Sequence, residues 1–218
     1  MRTWSRISGD GLTVATVQKT RLGVLISGSG TNLQAIIDAC EAGKINAEVV
    51  CVISNKASAF GLQRAANHSI PAIHLDHKTF AGRPEYDAEL VKTLEAHGVE
   101  LVILAGFMRI VTPVLLDAFP NRVMNIHPAL LPAFPGIDAQ KQAIDYGVKV
   151  SGCTVHFVDA GTDTGPVILQ AVVPVLEGDS ADTLAERIHI EEHKLYPEAV
   201  RLFCEGRLSV EGRRVKIS

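Results

Sequence analysis

Apolar runs alternate with amphipathic segments along the first half of the chain. Four runs without polar alternation predict strands that are buried on both faces. These runs are Leu22–Ser27, Val49–Ser54, Ala72–Leu75 and Leu101–Ala105. Between them, helical patterns cover Asn32–Cys40, Ala59–Asn67 and Pro84–His97. This β-α-β-α-β-α-β order predicts parallel strands joined by right-handed crossovers, with helices on both faces of the sheet.

The second half of the chain is less regular. A short helix, a strand and a second helix are predicted at Pro113–Phe119, Arg122–Ile126 and Asp138–Tyr146. Two β-rich runs, Cys153–Val158 and Val167–Val175, then flank a glycine-rich loop and predict a hairpin. A long helix from about Ala181 to Phe203 has apolar positions at Leu184, Ile188, Leu195 and Leu202, and short edge strands follow Arg207. The predicted fold class is α/β: a Rossmann-like open sheet, mostly parallel in the N-terminal half and mixed in the C-terminal half, with helices on both faces.

Composition narrows the class of protein. The 218 residues suffice for one well-buried domain at residues 21–218, and residues 1–20, which lack a continuous apolar core, predict an N-terminal extension and not a secretory signal. A net charge of −3 with scattered basic residues disfavours nucleic acid as the ligand. No apolar run approaches the roughly 20 residues that cross a bilayer. The four cysteines show no CxxC spacing, which indicates reduced thiols in a cytoplasmic protein.

The loop Gly28–Asn32 follows the first strand and begins the first helix. Backbone N–H groups and the helix dipole can hold a phosphate at such a position. A dinucleotide site would require a small residue in place of Leu33 and an acid after the second strand, where Asn55 and Lys56 stand. A single phosphate monoester therefore fits better, although the glycines could equally serve only a tight turn.

Asn125 and His127 are two residues apart on a predicted strand that Pro128 ends, so their side chains share a face. An amide donor beside a group that titrates near neutrality suits acyl or formyl transfer, because charge develops on a carbonyl oxygen while an amine loses a proton. Asp163, in the loop Asp159–Pro166, could orient such an imidazole and raise its pKa, or could be only a turn residue. The histidine spacings do not predict a metal site.

Three longer motifs carry a family resemblance. They are Leu104–Ile110 (LAGFMRI), Asn125–Gly136 (NIHPALLPAFPG) and Asp159–Ile168 (DAGTDTGPVI). With these motifs in this order, the chain from about Leu22 to Arg207 resembles the phosphoribosylglycinamide formyltransferases, folate-dependent enzymes of purine synthesis.

The resemblance implies transfer of the formyl group of 10-formyltetrahydrofolate to the amino group of glycinamide ribonucleotide, by direct attack and without a metal. Asn125, His127 and Asp163 match the family's catalytic trio. Gly30, Thr31, Asn32 and Glu192 match residues that bind the ribonucleotide. Positions that line the folate pocket are matched by Arg83, Phe107, Met108, Arg109, Ile110, Val111, Val123, Asn125 and Val158, with the Asp159–Asp163 loop facing the pterin. The resemblance also implies that the domain has a phosphate-binding half at about residues 21–120 and a folate-binding and catalytic half at about residues 121–218. The implied partners are small molecules, with no nucleic acid or membrane, and the implied state is a monomer or homodimer.

The chain departs from the family pattern at Ala133, where many members have a basic residue, and at Asp138–Gln140, which replaces a histidine-containing stretch of some relatives. These positions lie beside the trio, so they bear on substrate affinity more than on reaction type.

Three alternatives remain. Methionyl-tRNA formyltransferase shares the trio but is expected to carry a further C-terminal RNA-binding domain. Formyltetrahydrofolate hydrolase is expected to carry a regulatory domain before the catalytic one. A non-enzymatic folate-binding protein on the same fold is the third, but such a protein would not need a titratable trio.

Overall fold

The computed structural model describes residues 18–218. The predicted extension, residues 1–20, lies almost wholly outside them, and Thr20 is the first residue of β1. The nine strands among the described residues are β1 (Thr20–Ile26), β2 (Ala47–Ser54), β3 (Ala72–His74), β4 (Leu101–Leu104), β5 (Val123–His127), β6 (Val150–Phe157), β7 (Val167–Pro174), β8 (Leu208–Glu211) and β9 (Arg214–Ile217). The six helices in the same part of the chain are α1 (Thr31–Glu41), α2 (Phe60–Asn67), α3 (Arg83–Ala96), α4 (Pro113–Ala118), α5 (Ala139–Tyr146) and α6 (Ala181–Cys204), and a 3₁₀ turn covers His77–Thr79. No helix within these residues has the length and apolar character to cross a membrane.

All nine strands form one sheet in the order β3-β2-β1-β4-β5-β6-β7-β9-β8. The first five strands in this order pair in parallel, whereas β6 runs antiparallel to both β5 and β7. The predicted fold class and the predicted hairpin are therefore confirmed. Strand β6 begins at Val150, three residues before the predicted start, because Val150 and Ser151 pair with the end of β7.

Both faces of the central sheet are covered by helices, as the continuous apolar runs predicted. In β1, Leu22, Val24 and Ile26 belong to a core cluster that includes residues of α1 and α6. Leu25, between them, belongs to a second cluster with residues of α3 and α4. Side chains alternate across a strand, so a run that is apolar at every position supplies both cores.

Helix α6 is tied to the middle of the sheet by one buried phenol. The hydroxyl of Tyr196 lies 3.1 Å from the carbonyl oxygen of Leu104 and 2.9 Å from that of Met124. Burial raises the pKa of Tyr196 well above its ordinary value, so the neutral phenol is the form that the core accommodates. This contact fixes α6 against β4 and β5, whose carboxyl ends carry the candidate site.

Candidate active site

The candidate catalytic side chains meet where β5 ends. Strand β5 covers Val123–His127, one residue beyond the predicted Arg122–Ile126, and Pro128 follows it directly. His127 is 4% exposed, and Asn125 lies two residues before it on the same strand. In a mostly parallel sheet, the carboxyl ends of the strands are the usual location of a ligand site.

Both ring nitrogens of His127 face an oxygen acceptor. The Nε2 atom is 2.8 Å from the carbonyl oxygen of Phe134, and Nδ1 is 3.3 Å from Oδ2 of Asp163. A carbonyl oxygen only accepts, so Nε2–H donates to it and the ring cannot turn freely. Nδ1 is therefore the ring atom beside the carboxylate, and this geometry accommodates an imidazolium with both of its donors used.

Asp163 is held in place by its own loop. Its φ of 55° is left-handed, and its Oδ2 also accepts the N–H of Gly136 at 2.8 Å. At the base of the loop, a Cβ on Gly165 would lie 1.8 Å from the carbonyl oxygen of Phe157, so glycine is required there. Within the loop, Oδ1 of Asp159 accepts from the N–H of Gly161 at 3.1 Å and from the Thr164 hydroxyl at 2.6 Å. Asp159 thus shapes the turn, and Asp163 is the acid that reaches His127.

His156 is a member of the site that the sequence analysis did not identify. Its Nε2 atom lies 3.2 Å from the amide nitrogen of Asn125 and 3.8 Å from Oδ1 of Asp163. Its Nδ1 is 2.9 Å from the carbonyl oxygen of Phe157, to which it donates, so Nε2 is free to accept from Asn125. The residue was missed because its proximity arises from the antiparallel pairing of β5 with β6, which places His156 opposite Asn125.

Burial lowers the pKa of His156, so its neutral form is favoured in the folded protein. An unfolded histidine titrates at about 6.5, hence the unfolded chain takes up this proton first as the pH falls. The contribution of His156 to stability is therefore complete above about pH 6.5 and is lost as the pH falls toward the lowered value.

We expect His156→Gln to make the stability of the fold less dependent on pH below about pH 6.5. Thermal unfolding midpoints measured between about pH 5 and 7.5 should fall less steeply for this variant than for the wild type. His74→Gln, at an exposed position of β3, is the control and should follow the wild-type slope. Parallel profiles for wild type and His156→Gln would contradict the assignment of a buried neutral ring.

The predicted phosphate loop lies at the start of α1. Gly30 is the N-cap residue with φ of 71°, and no side chain within residues 18–218 caps this helix end. The amide of Asn32 donates to Oε2 of Glu192 at 2.8 Å, which joins residues 160 positions apart and brings α6 to the loop. Asn32 and Glu192 are both buried. The helix end therefore offers backbone donors beside a buried acid.

Arg64 is a second residue that the sequence analysis missed. Its Nε donates to the carbonyl oxygen of Ser29 at 2.9 Å, so a cation from α2 lies against the loop. Nothing in the local sequence indicated this contact, which depends on the close packing of α2 on Gly30. A groove of about 800 Å³ between α1 and α6 opens beside Thr31 and Arg64, but none of the trio lines it.

The predicted folate-lining residues fall into two groups. The side chains of Phe107, Val111 and Val123 are at most 9% exposed and belong to the core cluster that includes residues of α3 and α4. In contrast, Met108 and Ile110 are 71% and 56% exposed. Arg83 is exposed at the start of α3, Arg109 stacks on the Tyr86 ring at 5.4 Å, and Val158 is partly buried. A ligand at the surface could contact the side chains of Met108 and Ile110 directly. The buried side chains of Phe107, Val111 and Val123 could affect such a ligand only by supporting the residues around them.

Within residues 18–218, no group of three or more His, Cys, Asp and Glu side chains is arranged to hold a metal ion. The groups that the structure places at the carboxyl edge of the sheet are an amide donor, an imidazole paired with a carboxylate, and a helix N-terminus.

Comparison with known proteins gives the class of this fold as a one-carbon transfer enzyme. A family model described as formyl transferase matches residues 20–200, and the chain belongs to that family. The phosphoribosylglycinamide formyltransferase of Escherichia coli (strain K12) is 47% identical over 187 residues, which cover 86% of this chain and 88% of the relative. A crystal structure of glycinamide ribonucleotide transformylase 1 from Symbiobacterium toebii is 59% identical, with a TM-score of 0.91 over 92% of this chain and 95% of that one.

A longer relative is also similar. The trifunctional purine biosynthetic protein adenosine-3 of Chironomus tentans is 49% identical over 193 residues, which cover 88% of this chain but only 14% of the relative's length. Together these matches confirm the predicted family resemblance and the predicted reaction class, formyl transfer.

Proposed function

We propose that this protein transfers the formyl group of 10-formyltetrahydrofolate to the amino group of glycinamide ribonucleotide. The observation that carries the proposal is the geometry at the end of β5, where Nδ1 of His127 lies 3.3 Å from Asp163. Asn125 is oriented on the same face through His156. An amide donor and an ionisable pair at one position are what an amine's attack on a formyl carbon requires.

In this mechanism the substrate amine attacks the formyl carbon, and the formyl oxygen gains negative charge. Asn125 keeps one amide hydrogen on His156 and directs the other to that oxygen. The positive charge of a protonated His127, held by the Phe134 carbonyl at Nε2 and by Asp163 at Nδ1, stabilises the same oxygen electrostatically. Preorganised donors of this kind stabilise a developing oxyanion without reorganisation at the moment of reaction.

Proton transfer completes the reaction. The attacking amine loses one proton, and the folate nitrogen that leaves gains one, so the two transfers balance. Asp163 takes up the proton that the amine loses, which releases the Nδ1–H of His127 for donation to the leaving nitrogen. The proton on Asp163 then passes to Nδ1 and restores the pair. No covalent intermediate with the enzyme forms, because the acceptor amine attacks the formyl carbon directly.

The ribonucleotide phosphate would bind at the start of α1, on the N–H groups that follow Gly30, with Glu192 on the ribose. Helix N-termini favour anions because their first N–H groups lack partners within the helix. The cation of Arg64 beside Ser29 adds to this preference. The pterin would lie against the exposed Met108 and Ile110, with the 159–163 loop on the other side.

The experiment that tests the proposal follows deformylation of 10-formyltetrahydrofolate by the purified protein, with and without glycinamide ribonucleotide. Deformylation that depends on the ribonucleotide is the expected result. Equal deformylation without the acceptor would identify a hydrolase instead. Binding of folate without any turnover would indicate a binding protein and contradict the proposal.

Gly30→Ala should weaken binding of the ribonucleotide. A Cβ at this position would lie 2.7 Å from the Cα of Gly61, which is backbone and cannot give way easily, so the start of α1 must shift. We expect KM for the ribonucleotide to rise at least about tenfold, equivalent to about 1.4 kcal/mol, with KM for the formyl donor little changed.

Gly43→Ala is the matched control for this variant. Gly43 also has a left-handed φ, of 68°, but a Cβ there would meet nothing within 4 Å. Both variants lose roughly 1–2 kcal/mol of stability from the left-handed conformation. An equal KM in the two variants would refute the role of the α1 terminus.

A further inference from the structure

The segment between β4 and α4, Ala105–Thr112, has no regular secondary structure, yet its side chains alternate sharply in exposure. Phe107 and Val111 are each 9% exposed and pack into the core, whereas Met108 and Ile110 are 71% and 56% exposed. Large apolar side chains presented together at the carboxyl edge of a sheet are typical of a ligand surface. An irregular segment needs additional contacts to hold such a surface in one shape.

The first of these contacts comes from the end of β1. The Ser27 hydroxyl, 5% exposed, accepts the N–H of Met108 at 2.9 Å and donates to Oδ1 of Asn55 at 2.6 Å. Asn55 is itself buried and lies 3.5 Å from Nδ1 of His77. Because its donor direction is already taken by Asn55, the hydroxyl presents a lone pair to Met108.

The second contact comes from α3. The Asp87 carboxylate is 2% exposed, and its Oδ2 accepts the N–H of Thr112 at 2.5 Å. Thr112 is the N-cap residue of α4, so this bond fixes the point at which the segment ends. Burial of a carboxylate costs free energy unless the group is hydrogen-bonded. The bond with Thr112 therefore stabilises Asp87 in its buried position.

We infer that Ser27 and Asp87 are positioning residues for the formyl donor, because they bind the two ends, Met108 and Thr112, of the stretch that presents the Met108 and Ile110 side chains. Both side chains are buried, Ser27 at 5% and Asp87 at 2% exposure. Each acts by pairing a backbone N–H of the segment with a buried oxygen. The inference rests on the proposed function, since it assigns the segment to the folate side of the site.

Two predictions separate this role from a general contribution to stability. Ser27→Ala and Asp87→Ala should each raise KM for 10-formyltetrahydrofolate about tenfold, equivalent to about 1.4 kcal/mol, while kcat and KM for the ribonucleotide stay within about twofold. Asp87→Asn keeps an acceptor oxygen for Thr112 and should restore much of the loss.

Matched controls exist for both positions. Ser151 is a buried serine of β6 whose Oγ has no hydrogen-bond partner among residues 18–218, so Ser151→Ala removes a hydroxyl without freeing an N–H. Asp117→Asn removes a charge from an exposed position of α4. Both controls should keep the wild-type KM values.

The test measures kcat and both KM values for each variant, together with the Kd of 5-formyltetrahydrofolate, which has no transferable 10-formyl group, by titration calorimetry. A selective rise in the folate KM and in this Kd supports the inference. Unchanged values in Ser27→Ala, or an equal rise in both KM values, would overturn it. If the wild type lacks ribonucleotide-dependent turnover, the proposed function fails, and the calorimetric Kd alone still decides whether Ser27 supports folate binding.

Discussion

His127→Ala is expected to lower kcat by about 10³-fold, with binding of 5-formyltetrahydrofolate largely retained. The ring is the group whose Nδ1 lies beside Asp163 and whose Nε2 is fixed by the Phe134 carbonyl. Its removal takes away a charge-stabilising donor and the group that moves the proton, but it leaves Met108, Ile110 and the phosphate loop in place. Single-turnover deformylation in the presence of the ribonucleotide measures the loss.

Removal of a buried ring also leaves a cavity, so stability must be measured alongside activity. His97→Ala is the matched control: His97 is partly buried at the end of α3, with Nδ1 2.8 Å from the Thr93 carbonyl oxygen. This control should lose some stability and keep its kcat. Near-normal turnover in His127→Ala would refute the catalytic assignment.

Asp163→Asn is expected to lower kcat by about 10²-fold to 10³-fold. The substitution preserves size and leaves an amide oxygen in place of Oδ2, which faces both Nδ1 of His127 and the N–H of Gly136, but the amide carries no charge to pair with His127. The proton acceptor of the pair is lost with the charge. Steady-state kinetics should therefore show a large change in kcat and a small change in the two KM values.

Asp159→Asn provides a control within the same loop. Asp159 accepts from Gly161 and Thr164, and an asparagine oxygen can accept from the same donors. The charge change is identical in the two variants, so a general electrostatic effect would lower both activities alike. A comparable loss in both variants would contradict a specific role of Asp163 as the partner of His127.

The regular part of the fold was predictable because it depends on local pattern. Buried parallel strands such as Leu22–Ile26 are apolar at every position, and helix α1 repeats its apolar positions at helical spacing. Boundaries shifted by one to three residues, as at β5 and β6, because the ends of strands depend on which residues their partners offer. The phosphate loop, the candidate trio and the family were predicted from short motifs, because residue types and their close spacing are enough to indicate such chemistry.

His156 and Arg64 were not predictable from such motifs. Each enters the site through a strand or helix far away in the chain: His156 through the β5–β6 register, and Arg64 through packing of α2 on the Gly30 loop. The division of the folate-side residues into a core group and an exposed group was also hidden, since the irregular segment 105–112 has no periodicity from which burial can be inferred.

The sequence by itself determined the α/β class, the order of elements and the family, and it predicted Asn125, His127 and Asp163 as the candidate trio. These depend on residue type and near-neighbour spacing, which a chain carries before it folds. Only the tertiary structure decided which nitrogen of His127 faces Asp163, that Asn125 pairs with His156, and that Ser27 and Asp87 accept the N–H groups of Met108 and Thr112. These contacts join groups that are 25 or more positions apart in the chain. The bond from Nε2 of His127 to the Phe134 carbonyl is shorter in sequence, but it depends on the left-handed backbone of Phe134. The distances in these contacts depend on how strands pair and helices pack, and not on the spacing of residues along the chain.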